Sequence, residues 1–101
     1  MNTNDGHELR KARDWDAAEF LDTKEKVVAY LNLALEEGDD SLVRAALGDI
    51  ARSKGMTQLS RETGITRDGL YKAFSPDGNP TFSNVMKVLK ALGLRLSVTA
   101  N

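Results

Sequence analysis

The chain contains no cysteine, which excludes disulfides, thiolate metal sites and cysteine nucleophiles. Its one histidine, His7, lies in a polar N-terminal stretch, so neither a histidine metal cluster nor a histidine-centred triad can be assembled within one chain. No run of about 18 or more apolar residues occurs and no signal-peptide pattern opens the chain, so a cytoplasmic location without a membrane segment is expected. Glycine-rich phosphate loops and metal-ligand spacings are also missing. The carboxylates are plentiful, but the sequence defines no apolar pocket around any of them, so no enzymatic activity, cofactor or metal is expected. The two prolines both fall in Ser75-Pro76-Asp77-Gly78-Asn79-Pro80, a dense turn signal that marks one loop.

What remains is ordinary for a small soluble protein. With 101 residues, 41% hydrophobic and 29% charged, the chain can bury one core. The net charge of −1 hides an asymmetry. Up to Asp40 there are five bases against eleven acids, a net of −6, whereas from Ser41 onward nine bases face four acids, a net of +5. A basic half can meet phosphates; an acidic half would be repelled by them and should face away or meet a basic partner.

Residues 1–14 are polar, lack periodicity and are expected to be a flexible tail, followed by a single helical domain over 15–101. Asp16-Ala17-Ala18-Glu19 resembles a capping box, and Trp15 and Phe20 suggest that a short helical turn there packs on the domain. Asp22-Thr23-Lys24-Glu25 is a second capping-box candidate. The helix it opens places Val27, Leu31, Ala34 and Leu35 on one stripe, with Val28 at the border, and Gly38 stops it. Asp39-Asp40-Ser41 can cap the next helix, over about 41–54, whose inward set is Leu42, Val43, Ala46, Leu47, Ile50 and Ala51. Gly48 inside it costs about 1 kcal/mol relative to alanine, which points to a close approach between helices. A final helix over 82–92 carries Val85, Val88, Leu89 and Leu92 and ends at Gly93. Leu94-Arg95-Leu96-Ser97-Val98-Thr99 then alternates apolar and polar, the period of a half-buried strand. A lone strand needs a partner: its own copy across a two-fold axis, another protein, or part of the N-terminal tail. The alternative is an extended tail laid on the helices.

The most informative stretch is 56–74. Leu59 and Thr63 lie four apart on one helix face beside small Ser60; Gly64 can adopt the left-handed backbone that ends the helix. Ile65 plugs the turn and Thr66 can N-cap a second helix with Leu70, Ala73 and Phe74 inward. Thr66, Arg67, Asp68, Tyr71 and Lys72 are left outward. Two short helices joined in this way form a helix-turn-helix, whose common use is to set the second helix in the major groove of DNA.

Residues 16–96 resemble small antidote proteins of type II toxin–antitoxin (addiction) modules that carry a lambda-repressor-like helix-turn-helix. The likeness runs through Asp16-Ala17-Ala18-Glu19-Phe20-Leu21, Ala29-Tyr30-Leu31-Asn32 and Ala45-Ala46-Leu47-Gly48-Asp49-Ile50-Ala51. It continues in Gly55-Met56-Thr57-Gln58-Leu59, Gly64-Ile65-Thr66-Arg67, Leu70-Tyr71-Lys72-Ala73, the 75–80 loop and Val88-Leu89-Lys90-Ala91-Leu92-Gly93-Leu94. The resemblance implies an all-α protein of five or six helices that homodimerises, represses its own operon and neutralises a basic RelE-type toxin. A stand-alone transcriptional regulator without a toxin is the alternative. Ser60 stands where the family has alanine, and Gly69 interrupts the second helix, lowering its helix propensity and removing one base contact.

In a lambda-repressor-like geometry Thr57 and Gln58 would donate to phosphate oxygens and Arg67 would read guanine through its planar fork. Thr66 could cap and touch phosphate at once, and Lys72 would contact phosphate. Tyr71 either bonds phosphate or packs on Phe74. Asp68 either accepts from cytosine N4 or answers the helix dipole, and Asn79 has a turn role. One monomer with so few contacts would bind double-stranded operator DNA weakly. A homodimer is therefore expected, with Leu94, Leu96 and Val98 of the short C-terminal strand as its pairing residues.

Overall fold

In the computed structural model, which describes residues 17–101, the chain is all-helical, as expected. The six helices among the described residues are α1 Ala17–Phe20, α2 Lys24–Glu37, α3 Asp40–Lys54, α4 Met56–Thr63, α5 Arg67–Ala73 and α6 Phe82–Ala91. The N-terminal tail, His7, Trp15 and the Asp16 capping position lie outside the described residues.

Helix starts follow side-chain chemistry. Thr23 N-caps α2, accepting from the Lys26 amide at 3.1 Å. Asp22, the other capping candidate, instead pairs with Lys26 Nζ at 2.9 Å. Asp39 caps α3, accepting from the Ser41 amide at 2.9 Å and the Ser41 hydroxyl at 2.8 Å. Thr81 caps α6 by accepting from the Asn84 amide at 3.0 Å. Each such cap satisfies an amide that the helix itself cannot, and is worth about 0.5–2 kcal/mol.

Helix α3 is the hub. It packs against α1, α2 and α4, while α4 in turn packs on α5 and α6. Ala46, Leu47, Ile50 and Ala51 of α3 are buried with Leu31 and Ala34 of α2, Leu59 of α4, Leu70 of α5 and Val88 and Leu89 of α6. Fully burying a leucine, isoleucine or valine contributes about 1.5–3 kcal/mol, so Ile50, Leu59, Leu70 and Val88 are the chief contributors. Leu35 and Leu42, placed inward by periodicity, are exposed instead. Each lies within four residues of the α2–α3 turn. Phe20 is 48% exposed, its ring capped by Lys26 Nζ 5.2 Å from the centroid, and the residue that enters the core here is Leu21. The Ser53 hydroxyl donates to the Leu21 carbonyl at 2.8 Å, tying this first turn to α3.

Gly48 is a close-approach site, as its cost within a helix implied. An added Cβ would stand 2.6 Å from the Phe74 carbonyl oxygen at the end of α5. Beyond α6, the Leu94 amide donates to the Leu89 carbonyl at 2.9 Å and the Gly93 amide to Lys90 at 3.0 Å, a Schellman closure. The expected strand over 94–99 is not formed among the described residues. The reason is physical: a strand is defined by its partner, and the described residues contain no second one.

Two outcomes are expected. Gly48→Ala should lower the urea midpoint, because an overpacking cost of about 1–3 kcal/mol outweighs the propensity gain of about 1 kcal/mol; a raised midpoint would show that Phe74 yields. The Ser41 hydroxyl and amide hold the Asp39 carboxyl below its ordinary pKa, and the Lys26 ammonium does the same for Asp22. Both groups therefore stabilise the fold above the unfolded value near about 3.9, and that stability is lost as pH falls through the folded value. Asp39→Ala should flatten the acid limb of a stability–pH curve.

Candidate nucleic-acid interface

Residues 56–74 are two helices joined by a turn at 64–66. Gly64 ends α4 with φ +77°, and its amide donates to the Ser60 carbonyl at 2.9 Å. The turn is locked by hydroxyls. Ser60 Oγ donates to the Ile65 carbonyl at 2.6 Å, Thr63 Oγ1 donates to the Leu59 carbonyl at 2.8 Å, and the Ile65 amide donates to Thr63 Oγ1 at 3.1 Å. Ser60 thus does more than leave room for a neighbour, a role that its small size alone did not reveal. Thr66 N-caps α5 by accepting from the Gly69 amide at 3.0 Å. A Cβ at position 69 would meet Thr66 Oγ1 at 3.0 Å and Ile65 Cγ2 at 3.2 Å, so the glycine lies against the turn.

Leu70 and Phe74 anchor α5 in the core, and the opposite face is left to solvent. There Arg67, Asp68, Tyr71 and Lys72 stand in two i,i+4 pairs. The Arg67 guanidinium lies 6.0 Å from the Tyr71 ring centroid. Lys72 Nζ lies 3.6 Å from Asp68 Oδ2, with both side chains largely in water. A pair so exposed contributes about 0–1 kcal/mol, so Lys72 is readily released to another anion. At the start of α4, Thr57 and Gln58 are exposed, and Gln58 Nε2 already donates to Glu62 Oε2 at 3.0 Å. Thr57, Gln58, Thr66, Arg67, Asp68, Tyr71 and Lys72 are therefore all exposed on α4, the turn and α5.

The residues named for dimer pairing divide. Leu94 is half-buried in a groove with Leu31, Leu35 and Leu89 and caps α6, whereas Leu96 and Val98 are exposed, Val98 by 95%.

Three groups near this surface were missed by sequence reasoning. Asp49 of α3 is buried and accepts from the Tyr30 hydroxyl at 2.5 Å and from the Arg52 guanidinium. Arg44 reaches from α3 to the loop after α5, donating to the Pro76 carbonyl at 3.0 Å and to Asp40 at 3.0 Å. The i,i+3 spacing of Asp49 and Arg52 was a visible signal for that pair; nothing local pointed to Tyr30 or Pro76. Among the described residues no group of three or more His, Cys, Asp or Glu could hold a metal ion, and no helix is long and apolar enough to cross a membrane.

This surface is a solvent-facing row of polar and charged side chains on a firmly held helix. Comparison with known proteins gives the family of the chain. The family described as "Probable addiction module antidote protein" matches residues 11–100, and the chain belongs to that family. It is also 52% identical over 86 residues to an "Uncharacterized protein" of Haemophilus influenzae (strain ATCC 51907 / DSM 11121 / KW20 / Rd), covering 85% of this chain and 89% of that protein. No solved structure matches.

The turn itself can be tested. Thr66→Ala should destabilise the protein by about 0.5–2 kcal/mol through loss of the α5 cap, read by chemical denaturation, and an unchanged midpoint would remove the cap from the account.

Proposed function

We propose that the chain is the DNA-binding antidote of a type II toxin–antitoxin module, which binds double-stranded operator DNA as a homodimer, represses its own operon and neutralises a RelE-type toxin. The observation that carries the DNA reading is the α4–turn–α5 unit itself, with Leu59 and Leu70 buried on either side of Gly64 and the row from Arg67 to Lys72 facing water. In a lambda-repressor-like, helix-turn-helix arrangement α5 enters the major groove and α4 crosses the backbone. Arg67 then reads a guanine edge, while Thr57, Gln58, Thr66 and Lys72 engage phosphates.

Two half-sites about 34–36 Å apart require two copies. Support for a dimer comes from the exposed apolar residues around α6. Phe82, 71% exposed, and Met86 lie four apart on α6, and farther along the helix Leu89 shares a groove with Leu94 and Leu96. With exposed Val98 these are apolar side chains that a second copy could cover. An antiparallel self-pairing centred on Ser97 would set Leu96 against Val98 and Arg95 against Thr99, avoiding a clash of like charges.

Support for the toxin partner comes from the family and from the α2–α3 corner. Exposed Leu33 and Leu42 are set there among Glu36, Glu37, Asp39 and Asp40, a surface suited to a basic protein. No catalysis is assigned.

On the DNA upstream of its reading frame, Arg67→Ala should weaken binding by about 1–3 kcal/mol in a gel shift while leaving capture of the co-encoded toxin intact. Operator affinity unchanged by that substitution would overturn the assignment of α5. Leu96→Asp combined with Val98→Asp should convert a sedimenting dimer to monomer without unfolding it, since both side chains are exposed; a persistent dimer would move the interface elsewhere.

A further inference from the structure

Asp49 is 2% exposed in the middle of α3, and its carboxylate is gripped from two sides. The Tyr30 hydroxyl donates to Oδ2 and the Arg52 guanidinium to Oδ1. Arg52 itself is not buried: its side chain is 42% exposed. A guanidinium has five N–H donors, and among the described residues Asp49 occupies one of them. Arg52 lines a cleft of about 300 Å³ between α3 and α5, bounded also by Gly48, Asp49, Met56, Tyr71 and Ser75 among others.

Tyr71 belongs to both surfaces. Its ring lies beside the Arg67 guanidinium on the outer row of α5, and it also forms one wall of this cleft. Arg67 on α5 thus lies beside Tyr71, and Tyr71 and Arg52 of α3 border the same cleft. The buried carboxylate behind Arg52 restrains its plane, so the free edge of the fork is directed before any ligand arrives and less side-chain entropy is lost on contact. Neutralising Asp49 needs only a cation, whereas an oriented fork with spare donors beside a phenolic hydroxyl suits a tetrahedral oxyanion.

We propose that the cleft between α3 and α5 is a phosphodiester site, in which Arg52 and the Tyr71 hydroxyl hold one backbone phosphate of the duplex beside the bases faced by Arg67. This rests on the DNA-binding reading given above. Arg52 is then a contact residue outside the two helices that enter or cross the groove. Asp49 and Tyr30 position it.

The test uses the full chain and a fluorescently labelled operator duplex, with anisotropy titrations across a range of salt. Arg52→Gln alone would remove one partner of a buried carboxylate, so it is paired with Asp49→Asn; thermal unfolding and circular dichroism establish that the double variant is folded. The double variant is expected to bind at least about tenfold more weakly per half-site. It should lose about 0.9 from the slope of log affinity against log salt per half-site. The loss should be equal on operator and scrambled duplex, because a phosphate carries no sequence. Tyr71→Phe should weaken binding several-fold with the slope unchanged. A folded double variant with wild-type affinity and slope overturns the phosphate site and leaves the DNA-binding reading standing. If inorganic phosphate raises the melting temperature of the wild type but not of the double variant, while duplex binding is the same in both, the cleft takes small phosphates and the proposal is overturned in that form. Failure of the wild type to bind any duplex removes the DNA-binding reading and the site together.

Discussion

A helix of seven residues cannot hold itself together in water, where isolated helices shorter than about 12–15 residues are marginal. Helix α5 has that length, so everything proposed for its outer face depends on how firmly its inner face is gripped. The grip comes from Leu70, fully buried, and Phe74, which abuts α3 at the one place where α3 has no side chain, Gly48. The Thr66 cap holds the other end, and Arg44 secures the following loop through the Pro76 carbonyl. The solvent-facing row is thus the free side of an element whose other sides are all committed.

That arrangement explains why α3 lies at the centre of the molecule. It supplies the floor for α1, α2 and α4 and also the glycine that admits the end of α5. A helix with so many neighbours must bury most of its circumference, and the buried set reaches Asp49. A carboxylate in that position would be costly unless paired. Tyr30 from α2 and Arg52 from the next turn of α3 provide the partners, so the acidic half and the basic half are joined through a buried polar contact as well as through leucines.

The segregation of charge along the chain follows the same geometry. The acids at 36–40 cluster at the α2–α3 corner, while Arg61, Arg67 and Lys72 are exposed on α4 and α5. Duplex DNA and a basic toxin, the two partners proposed above, would need surfaces of opposite charge, and one small core with two differently charged surfaces is a simple means of meeting both.

Local chemistry was readable from residues alone: the glycine that ends α4, the Thr66 cap, the apolar spacing of α3 and the outward set on α5 all express rules that act within a few positions. Helix boundaries and the close approach at Gly48 follow from such rules. What only the tertiary structure decided is which members of an apolar stripe are covered. Leu35 and Leu42 carry the right periodicity, and Phe20 the right bulk, yet all three remain in contact with water. The Asp49–Tyr30 contact spans 19 positions and the Arg44–Pro76 bond 32, separations at which spacing says nothing. Pairing at such distances depends on where the whole chain brings two side chains, and that is settled by packing, not by any local run of residues.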